Sequence, residues 1–170
     1  MSDGRAVRPP WYGTDRHHCF GCAPDNPAGL ALHMVEAGET LTCRFTLTRL
    51  HESFPGLVHG GVSAAILDEL MGNLLIQRER KVCFLVGLRM TYAGAIRVGR
   101  PYSAVAWLSD RPMESPELIA VLGEIRDADG SALVTARGTF HWMSAQEWRQ
   151  ALAPNGEPDA DLRPLLRRAT

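Results

Sequence analysis

Apolar and polar residues alternate over several short stretches of this chain, which is the pattern of a strand with one buried face. In residues 41–48, Leu, Cys, Phe and Leu alternate with Thr and Arg. Comparable stretches predict strands at 82–92, 102–108, 117–126 and 131–143. The Asp-Gly pair at 129–130 separates the last two stretches and is typical of a tight hairpin.

A different pattern covers residues 62–77, between the first and second predicted strands. This segment has helix-forming residues, no proline, and apolar residues at most positions around a helical wheel, so it predicts a helix buried on most sides. The order of elements indicates an α+β domain in which one antiparallel sheet wraps around one long central helix. One helix covers only one face of such a sheet, so the exposed face and open edges favour pairing with a second copy.

The predicted elements divide the chain into three parts. Residues 1–17 show no periodicity and predict a flexible N-terminal arm, while residues 18–143 form the folded domain. A capping box, Ser144-x-x-Glu147, predicts a short helix at the start of 144–170. The Pro-Asn-Gly-Glu-Pro run at 154–158 breaks that helix, so the remainder is expected to be a peripheral C-terminal tail.

Composition narrows the classes of function. The chain has 18 Lys+Arg against 19 Asp+Glu, for a formal net charge of -1, so no basic surplus points to nucleic acid. No apolar run approaches the ~18 residues of a membrane span, and the first residues lack the pattern of a secretory signal. We therefore expect a cytoplasmic protein that binds neither nucleic acid nor membrane, with its four cysteines reduced.

Candidate chemistry is concentrated on the predicted central helix. Its small residues share an arc of about 100° on the helical wheel, with Asp68 in the middle of that arc; they are Gly61, Ala64, Ala65 and Gly72. Glu69 points about 100° away, towards the rim, where we expect contact with substrate. Asp68 is therefore the candidate catalytic carboxylate.

The start of the same helix is a candidate oxyanion site. Gly60 and Gly61 place no side chains over the first turn, so the amide groups there are open to an incoming oxygen. His59 is expected to form structural hydrogen bonds at the start of the helix, and Ser53 to supply a polar group in the preceding loop.

The spacing of these groups has a consequence for the assembly. Gly60 and Asp68 are eight residues apart, or about 12 Å along a helix, whereas two groups acting on one carbonyl must both lie within about 3 Å of it. One helix cannot supply both groups, but two antiparallel helices from two copies can. We therefore predict a homodimer with two composite sites.

The pair Cys19-x-x-Cys22, preceded by two histidines, is the candidate metal-binding segment. A structural zinc site needs four ligands. The other cysteines, Cys43 and Cys83, stand alone on predicted strands rather than in a second pair. On this ground we expect no metal and no other cofactor.

Several motifs together are similar to one known family. His59-Gly-Gly61 with Asp68 nine residues after the histidine, preceded by Phe54-Pro-Gly56 and followed by Met90-Thr-Tyr92, resembles the hotdog-fold thioesterases of the phenylacetate-degradation (PaaI-like) type. His18-Cys-Phe-Gly-Cys22 with Pro24-Asp-Asn-Pro27 resembles the N-terminal segment of one branch of that superfamily. The resemblance covers about residues 18–143.

The resemblance implies hydrolysis of acyl-coenzyme A or acyl-carrier-protein thioesters without a metal or cofactor. It implies that the Gly60 amide polarises the thioester carbonyl, and that Asp68 of the other subunit acts as base or nucleophile. It also implies a homodimer, or a dimer of dimers that forms a homotetramer. Three arginines are candidates for binding the phosphates of coenzyme A: Arg89, Arg97 and Arg100.

Two departures from the family pattern leave alternatives open. Family members often carry Asn or Gln where this chain has Ser53, and Ser or Thr where it has Leu85, a residue expected to contact the substrate or its water. A protein that binds acyl thioesters without hydrolysing them is therefore an alternative. A dehydratase is less favoured, because its base is a histidine just before the Phe-Pro-Gly triplet, where this chain has Ser53.

Overall fold

An antiparallel sheet curves around one long helix, as the sequence pattern predicts. The computed structural model describes residues 4–9, 12, 17–79 and 81–152. The strands in this part of the chain are β1 Arg5–Val7, β2 Met34–Ala37, β3 Thr40–Thr46, β4 Cys83–Tyr92, β5 Pro101–Leu108, β6 Leu118–Arg126 and β7 Ala132–Trp142. The helices are α1 Gly60–Glu79 and α2 Ala145–Leu152, with a short 3-10 helix at Arg49–His51.

All seven described strands belong to one sheet, in the order β1-β2-β3-β5-β6-β7-β4. Each neighbouring pair is antiparallel. The β6–β7 hairpin turns at the predicted Asp-Gly pair: Gly130 has a φ of 85°, and the Asp127 carboxylate accepts hydrogen bonds from the amides of Asp129 and Ser131. The left-handed backbone at this position explains why glycine occupies it.

Helix α1 is in close contact with the middle of the sheet. Its sheet-facing residues are fully or nearly fully buried: Ser63, Ile66, Leu67, Leu70, Met71 and Leu74. A Cβ atom on Gly123 of β6 would lie 3.2 Å from Leu67, and one on Gly138 of β7 would lie 2.8 Å from Phe140 and 3.1 Å from the Met71 methyl. The strands under the helix therefore approach it at a distance that side chains would prevent.

The N-terminal segment differs from the predicted flexible arm. Arg5–Val7 pairs with Met34–Ala37 and extends the sheet by one strand, with Val7 buried in the core and Arg5 paired with Glu36 at 2.9 Å. Three residues are too few to show a periodicity, and the strand is specified by a partner about thirty residues away. Residues 1–3, 10, 11 and 13–16 of the predicted arm lie outside the described residues.

The C-terminal segment begins as the sequence predicts. Ser144 and Glu147 form the expected capping box, in which the Ser144 backbone amide donates to the Glu147 carboxylate at 2.8 Å and the Glu147 amide donates to the Ser144 hydroxyl at 3.2 Å. Helix α2 follows directly. The predicted tail from residue 153 onwards lies outside the described residues.

The close approach between helix and sheet can be tested at Gly138. We expect Gly138→Ala to lower the free energy of unfolding by about 1–3 kcal/mol, because the added methyl group overpacks a core contact. The matched control is Gly87→Ala in β4, where the new Cβ would lie 3.9 Å from the Thr139 Cβ, an ordinary contact. Chemical denaturation of both variants at one protein concentration measures the difference, and equal losses would contradict the packing described above.

Candidate active site

Helix α1 begins at Gly60 because the preceding residue caps it. The Nδ1 atom of His59 accepts a hydrogen bond from the Gly61 amide at 2.9 Å, and the His59 carbonyl accepts one from the Val62 amide at 2.9 Å. Among the described residues, the Gly60 amide has no hydrogen-bond partner. The Gly61 amide is therefore already hydrogen-bonded to His59, whereas the Gly60 amide remains available to a ligand.

Gly60, whose amide is free, lines a cavity of about 410 Å³. Ser53 and Tyr92 also line this cavity, so the structure brings two of the sequence-predicted residues, Gly60 and Ser53, into one wall. The apolar part of the wall includes Leu57, Val58, Ile96 and Val134. An apolar cavity with a helix N-terminus at its edge suits a ligand that has both a hydrophobic part and a polar oxygen.

Two cavity residues were not among the candidates from the sequence. Tyr92 donates a hydrogen bond from its hydroxyl group to the Gly60 carbonyl at 3.0 Å, which ties β4 to the first turn of the helix. Ser63 is a buried polar residue in the next turn of α1. Tyr92 belongs to the Met90-Thr-Tyr92 motif, but only the fold places its hydroxyl beside Gly60. The signal for Ser63 was a lone hydroxyl within an apolar helix.

Asp68 lies elsewhere on the same helix. It does not line the Gly60 cavity, and the helical rise separates the two residues by about 12 Å. Its side chain is half-buried among the small residues of α1, most of which are themselves half-buried. Burial raises the pKa of Asp68 above its ordinary value, and the neighbouring Glu69 carboxylate adds to the rise. Cys83 of β4 is close enough for Asp68 to contribute, after burial, to raising the pKa of that thiol to about 12.

Glu69, for which the sequence predicts contact with substrate, lies against the N-terminal loop. The Cys19 thiol donates a hydrogen bond to its Oε2 atom at 3.3 Å, and the Asn73 amide donates one to its Oε1 atom at 2.8 Å. A Cβ atom on Gly21 would lie 2.5 Å from the carboxylate, so the N-terminal loop lies directly against it. Glu69 is covered by this loop and does not line the Gly60 cavity. Helical spacing separated Glu69 from Asp68 correctly but did not show what covers it.

Leu85 is half-buried in β4, opposite Phe140 of β7, and its side chain packs against the core. The register of the two strands shifts between Leu85 and Gly87, so the strand has a bulge immediately after it. Leu85 does not line the Gly60 cavity. It lies two residues from Cys83, on the side of the sheet that Asp68 approaches.

The three candidate arginines do not form one cluster. Arg89 lines a second groove, of about 240 Å³, on the face of the sheet away from α1, together with Trp107, Glu124 and Arg137. Arg97 follows Ile96 of the cavity wall, and its backbone amide donates to the Tyr102 hydroxyl at 2.9 Å. Arg97 is therefore the one nearest the cavity in sequence and in position. Arg100 is an exposed residue just before β5.

The comparisons with known proteins agree with this architecture. The family model for the thioesterase superfamily matches residues 55–111, a segment that contains Gly60, Asp68 and Leu85. This chain has the hotdog fold, and about a third of it is similar to the thioesterase superfamily. No curated protein sequence matches it significantly.

Solved structures of other proteins have the same hotdog fold. A thioesterase superfamily protein is 26% identical, with a TM-score of 0.66 over 73% of this chain, and this chain spans 60% of that protein's length. The PaaI protein from the phenylacetic acid degradation operon of E. coli is 13% identical, with a TM-score of 0.60 over 68% of this chain and 81% of its own. A Streptococcus mutans protein bound to acetyl-CoA is 12% identical, with a TM-score of 0.59 over 66% of this chain and 88% of its own. No helix among the described residues of this hotdog protein is long and apolar enough to cross a lipid bilayer.

The raised pKa of Asp68 predicts a stability effect with a definite sign. A carboxyl group whose pKa is higher in the folded state holds its proton more tightly there, so folding stability falls as pH rises from the ordinary carboxyl pKa through the raised value. Asp68→Asn removes this cost, so we expect the variant to melt at a higher temperature than the parent at neutral pH, with the difference vanishing in acid. Thermal unfolding between about pH 3 and pH 8 measures it. Asp110→Asn, at an exposed loop position, is the control, and a variant that melts below the parent at neutral pH would contradict the assignment.

Proposed function

We propose that this protein hydrolyses acyl thioesters of coenzyme A or of an acyl carrier protein, at two composite sites in a homodimer. The observation that supports this most strongly is the free Gly60 amide at the edge of an apolar cavity, on the same helix as a half-buried carboxylate that it cannot reach. The acetyl-CoA bound to the hotdog protein of Streptococcus mutans supports a coenzyme A thioester as the substrate.

In the proposed reaction the Gly60 amide donates a hydrogen bond to the thioester carbonyl oxygen. This bond stabilises the negative charge that develops on the oxygen as the carbonyl carbon becomes tetrahedral. Asp68 of the second copy removes a proton from a water molecule, whose oxygen attacks that carbon; the carbon–sulfur bond then breaks, and the thiolate leaves as the thiol with the proton that Asp68 returns. In the alternative path the Asp68 carboxylate attacks the carbon directly, and the carbon–sulfur bond breaks as a mixed anhydride forms. Water then hydrolyses the anhydride to the free acid and the carboxylate, and the thiolate takes up the proton that this step releases.

The raised pKa of Asp68 is consistent with a role as base. A general base is most effective when its pKa is near the working pH, and burial shifts Asp68 in that direction. Tyr92 has a positioning role in this scheme, because its hydrogen bond to the Gly60 carbonyl holds the first turn of α1 against β4.

Two features of the surface support a homodimer. β4 is an edge strand that pairs, among the described strands, with β7 alone, and its Phe84 and Val86 are 47% and 60% exposed. An exposed apolar edge of this kind is suited to pairing with another strand. The small residues around Asp68 on α1 keep part of their surface exposed, and their short side chains allow a second helix to approach closely.

A thiol-release assay with a panel of acyl-CoA substrates tests the proposed activity. We expect Asp68→Asn to lower turnover by at least ~100-fold, within the range for loss of a general base, with little change in substrate affinity. Asp110→Asn should keep the parental rate, because that residue is exposed in the connection between β5 and β6 and does not line the Gly60 cavity. Saturable acyl-CoA binding by the parent with no release of thiol would instead support the non-hydrolytic alternative.

A complementation experiment tests the composite site. Gly60→Pro removes the free amide at a helix position where proline is tolerated, and Asp68→Asn removes the carboxylate, so each variant alone should be inactive. After the two are unfolded and refolded together, half of the dimers are mixed and each has one intact site of two. We therefore expect recovery of about a quarter of the parental activity.

The complementation experiment has two controls. Circular dichroism of each variant checks that its fold is preserved, and light scattering checks that the mixture is dimeric. The composite site would be contradicted if a folded dimeric mixture stayed inactive, or if the parent were active as a monomer. Neither result would decide whether the protein is a thioesterase, which the thiol-release assay tests separately.

Leu85 provides a test of the water that attacks the thioester. A hydroxyl at this position can hold a water molecule near the carboxylate, whereas the leucine side chain cannot, and an aligned nucleophile accounts for much of the rate of such a step. We expect slow hydrolysis by the parent and a higher turnover number for Leu85→Thr. Steady-state kinetics of the two proteins make the comparison. An unchanged or lower rate in a folded variant would show that the water is held by another group.

A further inference from the structure

The loop between β1 and β2 brings three side chains that can bind a metal together, and none of the three lines the Gly60 cavity. The donor atoms of His17, Cys19 and Cys22 all lie within 4.8 Å of one another. The His17 Nε2 atom is 3.3 Å from the Cys22 Sγ atom, and these two residues are 6% and 3% exposed. His17 packs against the ring of Tyr12, with the ring centroids 5.2 Å apart.

Helix α1 supplies a fourth donor. The Oε2 atom of Glu69 is 3.3 Å from the Cys19 Sγ atom. The Asn73 side chain binds the other carboxylate oxygen, Oε1, at 2.8 Å, which leaves Oε2 directed at the loop. Gly21 allows the loop to lie directly against this carboxylate, because a Cβ atom on Gly21 would be only 2.5 Å from Oε2.

We propose that these four side chains bind one zinc ion, as a structural site that joins the N-terminal loop to the central helix. Zinc in structural sites is tetrahedral, with bonds of about 2.0–2.3 Å to nitrogen, oxygen and sulfur, which keeps its donor atoms about 3.3–3.8 Å apart. The His17–Cys22 and Cys19–Glu69 donor pairs are both 3.3 Å apart. The three loop donors already lie within 4.8 Å of one another, and the Glu69 carboxylate reaches them beside Cys19.

The charge of the cluster favours a cation. In the described part of the chain, no lysine or arginine forms an ion pair with Glu69. A carboxylate and two thiols are thus packed together without a positive side chain, and a partly buried charge of this kind is costly unless it is compensated. Zinc binds thiolate and imidazole groups strongly and accepts a carboxylate oxygen as the fourth ligand.

The backbone of the loop has the shape that such a site needs. The Cys22 amide is directed at the Cys19 sulfur at 3.4 Å, and the Ala23 amide donates to the Cys19 carbonyl at 3.1 Å, so both cysteines of the pair project to one side of a tight turn. The Asn26 side chain donates to the His18 carbonyl at 3.1 Å and accepts from the Ala28 amide at 3.0 Å. The polar motif after the second cysteine therefore holds the turn in place.

The four-ligand count explains why the sequence led to the opposite expectation. The remaining cysteines, Cys43 and Cys83, lie singly on β3 and β4 and do not form a second pair in the sequence. The fourth donor is instead a carboxylate on the central helix, some fifty residues away in sequence. Since the protein fills all four positions, the ion would have no open position for substrate, and its role is structural.

Metal analysis of the full-length protein tests the proposal. The protein is expressed with added zinc, purified without chelators under reducing conditions, and its metal content measured by mass spectrometry. We expect one zinc per chain in the parent and in Cys43→Ala, and less than about a tenth of that in Cys22→Ser and His17→Ala, since loss of a ligand from a closed zinc site removes most of its affinity. Cobalt(II) in place of zinc should give the visible spectrum of a tetrahedral thiolate site.

Chelation of the parent protein keeps the test independent of whether the variants fold. We expect removal of zinc to lower the melting temperature and to make Cys19 and Cys22 reactive towards an alkylating reagent, with both effects reversed by zinc and not by magnesium. Failure of the reduced parent to bind zinc would overturn the proposal, as would a disulfide between Cys19 and Cys22 in protein purified without oxidant. Neither outcome depends on thioester hydrolysis, so the zinc site and the proposed function fail separately.

Discussion

The whole arrangement depends on how closely the central helix approaches the sheet. Leu67 and Met71 of α1 occupy the space above Gly123 and Gly138, where any larger side chain on the strands would meet them. This contact buries the apolar side of a helix that would not be stable alone in water. It also sets the rotation of the helix about its axis, and therefore where every other residue of α1 points.

With that rotation set, the remaining sides of the helix have different surroundings. One side, which includes Glu69, is covered by the loop of Cys19 and Cys22. The side with Asp68 and the small residues is partly exposed. The helix start at Gly60 opens into the apolar cavity. Asp68 and Glu69 therefore have different neighbours although they are consecutive on the helix. Asp68 is the proposed base, and Glu69 is the proposed zinc ligand.

The candidate site follows from the same geometry. The Gly60 amide is free because His59 takes the next amide in its cap, and Tyr92 reaches the first turn from an edge strand. Asp68 is about 12 Å further along the helix, so one chain presents two halves of a site rather than a whole one. The exposed edge of β4 lies beside both halves, which is why we link the proposed activity to the proposed dimer.

The sequence by itself determined the elements whose pattern is local. Alternation over 41–48 and 131–143, the apolar run after Gly60 and the capping box at Ser144 each depend on residues a few positions apart, so the strands, the long helix and the start of α2 could be predicted. The separation of Gly60 and Asp68 along the helix could be predicted for the same reason, because both residues belong to one regular helix. The tertiary structure alone decided the pairing of Arg5–Val7 with β2, the contact of the Tyr92 hydroxyl with Gly60, and the position of Glu69 beneath the cysteine loop. These contacts join residues about thirty to fifty positions apart, and their side-chain types are compatible with many neighbours. Only the packing of the chain selects one set of neighbours, because burial and hydrogen bonding must be satisfied for all of these residues at once.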